Sequence, residues 1–325
     1  MTAPWPLPPA LRAPLRPASE SWLRDLPWAP VEPALERLQA APPSRVLAVP
    51  AGKLMLFRGE VSSGVSIPIL GYLLDTPGVP MVVDCGLRDR WRPAPGAAPS
   101  GALGAGSAAA SGGPSPARGG TPTGVPEGGS GLPEGAPGLP EDGPAPGMRY
   151  RPVLDGPSLA ARARELGFAP GRLVCTHLHL DHAGGARELG LPVEASDTEW
   201  AEARAGGSGY PAEDLAGLTP KPLTLDPTRP FGPFAASAWL AGGALALDTA
   251  GHTPGSISVL VRLASGFALI CGDAVYPLLD QPGSPAYLGM LRFRRLLAER
   301  ADVTLLPAHD TSVQRACGGG AWLGA

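Results

Sequence analysis

The sequence has almost no lysine, because only Lys53 and Lys221 among its 26 basic residues are lysines. Its formal net charge is −3, so no basic surface is expected to bind nucleic acid or anionic lipid. It contains no apolar run of about 18 residues, the minimum for a transmembrane helix. The proline-rich N-terminus also lacks the unbroken apolar stretch of a secretory signal. We therefore expect no nucleic-acid partner, no membrane partner and a cytoplasmic location.

Paired cysteines are missing as well. The chain has four cysteines, far apart in sequence and without C-x-x-C spacing, at Cys85, Cys175, Cys271 and Cys317. This spacing argues against a zinc ribbon. Three of them lie in apolar runs, which is typical of small buried residues and not of a disulfide framework. We predict free, buried thiols.

Aromatic and β-branched residues are nearly absent between Pro93 and Gly147, where about half of the residues are Gly or Pro. Such a segment cannot bury enough apolar surface to offset its conformational entropy. We predict a disordered insertion over 93–147, carried by a folded domain over 45–315. An N-terminal extension, 1–44, and a C-terminal tail, 316–325, complete the chain.

Strand-like and helix-like segments alternate in the rest of the chain. "VPMVVDCG" and "FALICGD" are short apolar runs typical of buried strands. "SLAARARELGF", with Ser158 as a plausible N-cap, and the amphipathic segment 286–301 predict helices. The alternation indicates an α/β protein built in layers.

Histidine is scarce but concentrated. Of five histidines in the chain, three lie in "THLHLDHAGG", which runs from Thr176 to Gly185. Residues i and i+2 of an extended segment point the same way, so His177 and His179 can bind one ion together. Asp181 and His182, on the loop just beyond, can bind a second ion. Imidazole and carboxylate ligands suit Zn²⁺ and related divalent cations.

The other two histidines follow predicted strands too. His252 lies in the turn "GHTPGS", and His309 ends the last predicted strand, "VTLLPAH". Asp273 follows another apolar strand. Strand ends are where α/β proteins place their sites. The pattern therefore predicts one metal site that uses all five histidines and two aspartates.

These motifs resemble those of the metallo-β-lactamase superfamily. The similar segments are "THLHLDH", "GHTPGS", "GDA" and "PAHD", in the family's order, preceded by "VVDCG". The resemblance implies an αβ/βα four-layer sandwich with two sheets face to face and a dinuclear metal site at one edge. It also implies that Asp84 supports the site without binding a metal.

The resemblance further implies which residues bind which ion. His177, His179 and His252 would hold the first ion, and Asp181, His182 and His309 would hold the second. Asp273 would bridge the two. The two ions would be Zn²⁺, with Fe²⁺, Co²⁺ or Mn²⁺ as alternatives that accept the same ligands.

Within the superfamily, the sequence is most similar to the quorum-quenching N-acyl-homoserine lactonases. An aspartate at the bridging position argues against true β-lactamases, and "GDAVY" places Tyr276 three residues after Asp273. The resemblance implies opening of a lactone ring by a metal-bridging hydroxide. Tyr276 would stabilise the oxyanion, and Asp181 would protonate the leaving alkoxide.

Other functions remain open at this point. A glyoxalase-II-like thioesterase would share every ligand, but only sixteen residues follow His309, too few for a glutathione-binding helical region. A phosphodiesterase would be expected to have a more basic surface. A non-catalytic binding protein of the same fold would be expected to have lost ligands. The partner is therefore expected to be a small lactone or ester, and the oligomeric state stays open, a homodimer included.

Overall fold

The structure is a computed structural model that describes residues 23, 25–58, 61–93, 148–207, 209–240, 243–275, 285–317 and 320–324. Apart from residue 93, the predicted insertion lies outside these ranges, as do most of the N-terminal extension and parts of the C-terminal tail. Tyr276 also lies outside them. The predicted domain boundaries therefore stay predictions.

The larger sheet of the described chain has seven strands in the order β4-β1-β2-β3-β5-β6-β7. These strands are β1 (Arg45–Arg58), β2 (Val61–Asp75), β3 (Met81–Val83), β4 (Met148–Val153), β5 (Arg172–Val174), β6 (Val193–Ser196) and β7 (Pro220–Leu223). β1 and β2 form a long antiparallel hairpin, whereas β3, β5, β6 and β7 run parallel. The carboxyl ends of the parallel strands therefore share one edge.

The smaller sheet has five strands in the order β12-β11-β10-β9-β8. They are β8 (Ser237–Leu240), β9 (Ala244–Asp248), β10 (Ile257–Arg262), β11 (Phe267–Gly272) and β12 (Val303–Pro307). β8 to β11 are antiparallel, and β12 runs parallel to β11. The ends of β11 and β12 consequently lie together.

Helices join the strands. In the described chain they are α1 (Glu32–Ala40), α2 (Leu159–Glu165), α3 (Leu180–Ala183), α4 (Ala186–Leu189), α5 (Asp197–Ala205), α6 (Ala212–Leu215), α7 (Pro285–Glu299) and α8 (Thr311–Cys317). Ser158 caps α2 as predicted, since its hydroxyl accepts a hydrogen bond from the backbone N–H of Ala161 at 3.4 Å. None of these helices is long and apolar enough to cross a bilayer.

Both faces of both sheets are buried, which makes four layers. Side chains alternate between faces along a strand, so Val46 of β1 packs between the sheets while Leu47 packs against outer helices. Likewise Ala246 of β9 faces the other sheet, and Leu247 packs on the side of α1 and α7. The predicted αβ/βα sandwich is confirmed.

Local details differ from the sequence-based expectations. β4 was not predicted, because this edge strand is polar and is stabilised by pairing with β1, a hundred residues earlier. Asp181 and His182 were predicted on a loop, but they lie in α3. That short helix forms because the backbone N–H of His182 and Ala183 both donate to the carbonyl of His179, at 3.0 and 2.9 Å.

The cysteine prediction is supported for three residues. Cys85, Cys175 and Cys271 are buried and free, and burial raises the pKa of the Cys271 thiol. These side chains therefore act as small apolar groups of the core.

Candidate metal centre

The seven predicted ligands come together at one edge of the sandwich, on ends of strands from both sheets. His177 and His179 follow β5, Asp273 follows β11, and His309 follows β12; His252 lies in the turn between β9 and β10. The backbone N–H of Ile257 donates to the carbonyl of Thr176 at 2.8 Å. This bond joins the two sheets directly beside the histidines.

Three overlapping groups could each hold an ion, with ligand atoms that lie within 4.8 Å of one another. They are His177–His179–His252, His177–His182–Asp273 and Asp181–His182–His309. We call the first group the three-histidine half and the third group the Asp181 half. Together with Asp273 they contain every residue that the sequence predicted as a ligand.

Asp273 lies between the two halves. Its Oδ1 is 3.1 Å from Nε2 of His182 and 3.2 Å from Nε2 of His309, while its Oδ2 is 3.4 Å from Nε2 of His252. The carboxylate thus contacts imidazoles of both halves, which is the placement a bridging ligand needs. Among the described residues, the ion-pair contacts of Asp181 lie within its own half, with Oδ2 3.3 Å from Nε2 of His309 and 3.9 Å from Nε2 of His182.

Hydrogen bonds orient the two imidazoles of the Asp181 half through the ring nitrogen that points away from the centre of the site. Nδ1 of His182 is 2.9 Å from Oδ2 of Asp84, and Nδ1 of His309 is 2.6 Å from the carbonyl of Pro68. Because each Nδ1–H donates outward, each Nε2 is directed toward the centre. Metal-binding histidines are usually oriented in this way.

Asp84 adopts an unusual backbone conformation to reach His182. Its φ is +54°, the only positive value among the described non-glycine residues. Both carboxylate oxygens also accept hydrogen bonds from Thr176, at 2.7 Å from the backbone N–H and 2.8 Å from the hydroxyl. The supporting role implied for Asp84 therefore has a geometric basis.

The three-histidine half differs in charge. Burial lowers the pKa of His179 to about 4 and that of His177 well below its usual value. Both imidazoles are neutral at pH 7, which is the form that binds a metal. Nε2 of His177 is buried without a hydrogen-bond partner among the described residues, an orphaned atom that a metal ion would satisfy.

The Asp181 half is charged instead. Burial would lower the pKa values of His182 and His309, but Asp273 and the other nearby carboxylates raise both, that of His309 to about 10. Burial alone would raise the pKa of Asp181, whereas His182 and His309 lower it to about 2. A cation bound here would displace the protons from Nε2 of His182 and His309, because a metal binds the neutral imidazole. The donor set of two imidazoles and carboxylates fits a divalent cation.

A buried glutamate behind the three-histidine half was missed by sequence analysis. Glu199 of α5 is fully buried and accepts a hydrogen bond from the backbone N–H of Leu178, between His177 and His179, at 2.8 Å. In sequence, Ser196 and Glu199 form the S-x-x-E pattern of a helix N-terminus. That pattern predicts a local capping role, so it gives no indication of this contact.

The segment around Gly209 also packs on this half. A Cβ at Gly209, whose φ is +87°, would lie 2.6 Å from the imidazole of His179. The neighbouring Tyr210 ring meets the same imidazole edge to face, with centroids 4.7 Å apart. Only glycine fits this close approach, so the segment limits where His179 can move.

The family comparison agrees with this geometry. Residues 130–309 match the metallo-beta-lactamase superfamily, a range that contains all seven predicted ligands. The chain belongs to the metallo-β-lactamase superfamily. A comparison with curated proteins finds no match.

Solved structures of other superfamily members have the same fold. An N-acyl homoserine lactone hydrolase with its product N-hexanoyl-L-homoserine at the catalytic metal centre is 18% identical, with a TM-score of 0.55, over 84% of this chain and 96% of that one. A quorum-quenching N-acyl homoserine lactone hydrolase is 18% identical, with a TM-score of 0.56, over 85% and 97%.

A third similar structure is a B. thuringiensis protein with N-decanoyl-L-homoserine bound at its active site. It is 18% identical to this chain, with a TM-score of 0.54, over 84% of this chain and 96% of that one. At these identities the likeness establishes the shared fold. The match to the metallo-beta-lactamase superfamily supports the coarse prediction of a metallo-β-lactamase-fold hydrolase, whereas the substrate and the ion stay predictions.

Proposed function

We propose that this chain is a dinuclear metallohydrolase that opens the ring of N-acyl-homoserine lactones or related lactones. The observation that carries the proposal is the placement of Asp273 between two ligand groups, within 3.4 Å of His182, His309 and His252. A carboxylate shared in this way suits two neighbouring cations. Zn²⁺ is the proposed ion, because a set of several imidazoles with one or two carboxylates is typical of zinc sites.

The chemistry divides between ions and side chains. Two divalent cations in this site would supply a hydroxide near neutral pH and polarise an ester carbonyl. His177, His179, His182, His252 and His309 would hold those cations. No serine or cysteine nucleophile is then needed, and the buried thiols of Cys85 and Cys175 remain part of the core.

Asp181 is the carboxylate proposed to move a proton. Its side chain is 13% exposed, compared with 7% for Asp273, so it is the more open of the two toward a substrate. As a ligand of a divalent cation it would be ionised at neutral pH. It could therefore accept a proton during attack and deliver it to the alkoxide that leaves when the ring opens.

Tyr276 is proposed as the donor to the oxyanion of the opening lactone. It follows Asp273 by three residues and lies outside the described part of the structure. The proposal for this residue consequently rests on its spacing in the sequence and on the resemblance to lactonases.

A substrate panel with metal-loaded protein tests the proposal. We expect an N-acyl-homoserine lactone to give a higher kcat/KM than a glutathione thioester, a phosphodiester or a β-lactam. Tyr276→Phe should lower kcat/KM for the lactone by about 10- to 1000-fold, because one oxyanion donor is lost while the metals still polarise the carbonyl. Metal content and thermal stability should barely change, since the ring remains.

The outcome separates the alternatives. Faster turnover of the thioester would identify a thioesterase, and faster turnover of the phosphodiester would identify a phosphodiesterase. A Tyr276→Phe variant with the wild-type rate on the lactone would remove the tyrosine from the mechanism. Protein that binds no divalent ion would contradict the metallohydrolase proposal as a whole.

A further inference from the structure

Glu199 occupies a position that the ligand set does not explain. It lies in the first turn of α5, and its exposed fraction is 0%. A buried carboxylate is costly unless it is paired or fully hydrogen-bonded. No lysine or arginine is found within ion-pair distance of Glu199 among the described residues, so hydrogen bonds must stabilise it.

Three donors from three different segments meet this carboxylate. Oε1 accepts from the backbone N–H of Leu178 at 2.8 Å and from the hydroxyl of Tyr210 at 2.9 Å. Oε2 accepts from the hydroxyl of Thr253 at 2.6 Å. Burial raises the pKa of Tyr210, so its hydroxyl keeps the proton that it donates.

Each donor neighbours a residue of the three-histidine half. Leu178 lies between His177 and His179, and Thr253 directly follows His252. Tyr210 packs its ring on the imidazole of His179. Glu199 therefore contacts both chain segments that carry these histidines, together with the segment that covers one of them.

The turn that carries His252 rests directly on the start of α5. A Cβ at Gly255 would lie 2.2 Å from the backbone nitrogen of Glu199, and the Ser196 hydroxyl donates to the Gly255 carbonyl at 2.7 Å. The turn cannot approach the helix any more closely. Backbone packing of this turn on α5 and the hydrogen bonds of the Glu199 carboxylate together link two segments that are 75 residues apart, from Leu178 to Thr253.

We propose that Glu199 is a positioning residue that holds His177 and His179 at the right distance from His252, and so builds the three-histidine half of the metal site. It touches no ligand imidazole itself and acts through Leu178 and Thr253. The Asp181 half is oriented separately, by Asp84 and by the carbonyl of Pro68. This inference rests on the proposed metal site.

Glu199→Gln is the main test, because it keeps the size of the side chain. The backbone N–H of Leu178 can only donate, so the amide oxygen of the glutamine must take the place of Oε1. The amide NH₂ then faces the hydroxyl of Thr253, which must accept a hydrogen bond where it donated one before. We expect Zn²⁺ affinity of the three-histidine half to fall about 10-fold or more. Competition with a chelator should measure it, and the Co²⁺ absorption spectrum should report the changed geometry.

Metal binding by the three-histidine half can be measured separately from that of the Asp181 half. In a His309→Ala background the Asp181 half is disabled, and one equivalent of ion should remain bound. Adding Glu199→Gln should then weaken that remaining ion. Thr253→Val removes the hydroxyl that donates to Oε2 and also contacts the hydroxyl of Ser256 in the same turn. It should weaken binding of the remaining ion in the same direction and serves if Glu199→Gln does not fold.

Glu194→Gln is the matched control. Glu194 is another buried carboxylate, five residues earlier, whose partners are Arg172 and Lys221. It should lose stability without any change in Zn²⁺ affinity or Co²⁺ spectrum. A purely structural role of Glu199 would make the two variants behave alike.

The possible failures are distinct. Wild-type protein that binds fewer than two ions would overturn the proposed dinuclear site. Wild-type protein that binds two ions, with Glu199→Gln and Thr253→Val unchanged in affinity and spectrum, would overturn the positioning role alone.

Discussion

The two halves of the metal site are built in opposite ways. In the three-histidine half, His177 and His179 are neutral because burial lowers their pKa values. In the Asp181 half, neighbouring carboxylates raise the pKa values of His182 and His309. Burial favours the neutral imidazoles in the three-histidine half, whereas nearby carboxylates favour the charged imidazoles in the Asp181 half.

Their supports differ as well. Glu199 holds the backbone and turn of the three-histidine half without touching an imidazole. Asp84 contacts the imidazole of His182 directly. The comparison indicates that each half can be weakened on its own, whereas Asp273, which contacts both, cannot be removed without affecting the pair.

The largest effect is therefore expected from Asp273→Ala. Both halves lose the shared carboxylate, so the variant should bind less than two equivalents of metal and lose more than about 100-fold in activity. Elemental analysis and kcat/KM measure the two losses. Asp302→Ala, which removes an exposed carboxylate paired with Arg300, should keep both ions; a fully active Asp273→Ala variant would contradict a shared ligand.

A smaller and one-sided effect is expected from Asp84→Asn. Asparagine tolerates the left-handed backbone and keeps one oxygen for Thr176, but its NH₂ would face Nδ1 of His182. That contact favours the tautomer with the proton on Nε2, the atom needed by the metal. Zn²⁺ affinity of the Asp181 half should fall about 10- to 100-fold.

The same chelator titration separates the halves for this variant. In Asp84→Asn the three-histidine half should retain its Zn²⁺ affinity, whereas in Glu199→Gln this half is the one expected to bind Zn²⁺ more weakly. Equal weakening of both ions by Asp84→Asn would show that the halves are not independent.

The smallest effect on the site is expected from Glu194→Gln, which lies outside both halves. Burial would raise the pKa of Glu194, but hydrogen bonds from Arg172 and Lys221 lower it. Its contribution to stability is therefore complete above the unfolded pKa of about 4.3 and is lost as the pH falls through the lowered folded value. Unfolding at pH 7 should cost about 1–3 kcal/mol less in the variant.

Denaturant titrations across this pH range measure that difference. It should shrink as the pH falls below about 4, because the wild-type carboxylate then also becomes neutral. A difference that stays constant down to pH 2 would show that the ion pairs contribute nothing.

The fold could be predicted, and a candidate ligand set could be named, because their signals are local. Apolar strands, the capped helix at Ser158 and the THLHLDH motif each lie within a few residues of chain. β4 could not be predicted in the same way, since its stability comes from pairing Val153 with Lys53. No local pattern encodes that partner.

The supports of the site could be predicted only in part. Asp84 lies in a predicted strand segment and in a motif similar to that of the family, so the sequence indicates a supporting role for it, and its contacts with His182 and Thr176 agree. Glu199 has the spacing of an ordinary helix cap after Ser196, and its true partners, Leu178 and Thr253, are distant in sequence. The sequence therefore identifies candidate metal ligands more readily than the residues that position them.

The ligands are also divided along the chain, which sets an order of events during synthesis. In the described chain, the strands of the larger sheet lie between Arg45 and Leu223, in the part of the sequence that contains the THLHLDH motif. His252, Asp273 and His309 lie beside strands of the later, smaller sheet. A growing chain that has reached residue 200 offers only a partial set of donors. The complete set of donors exists only after the segment that carries His309 has been synthesised and the two sheets have packed together. We therefore expect full metal binding to follow assembly of the sandwich.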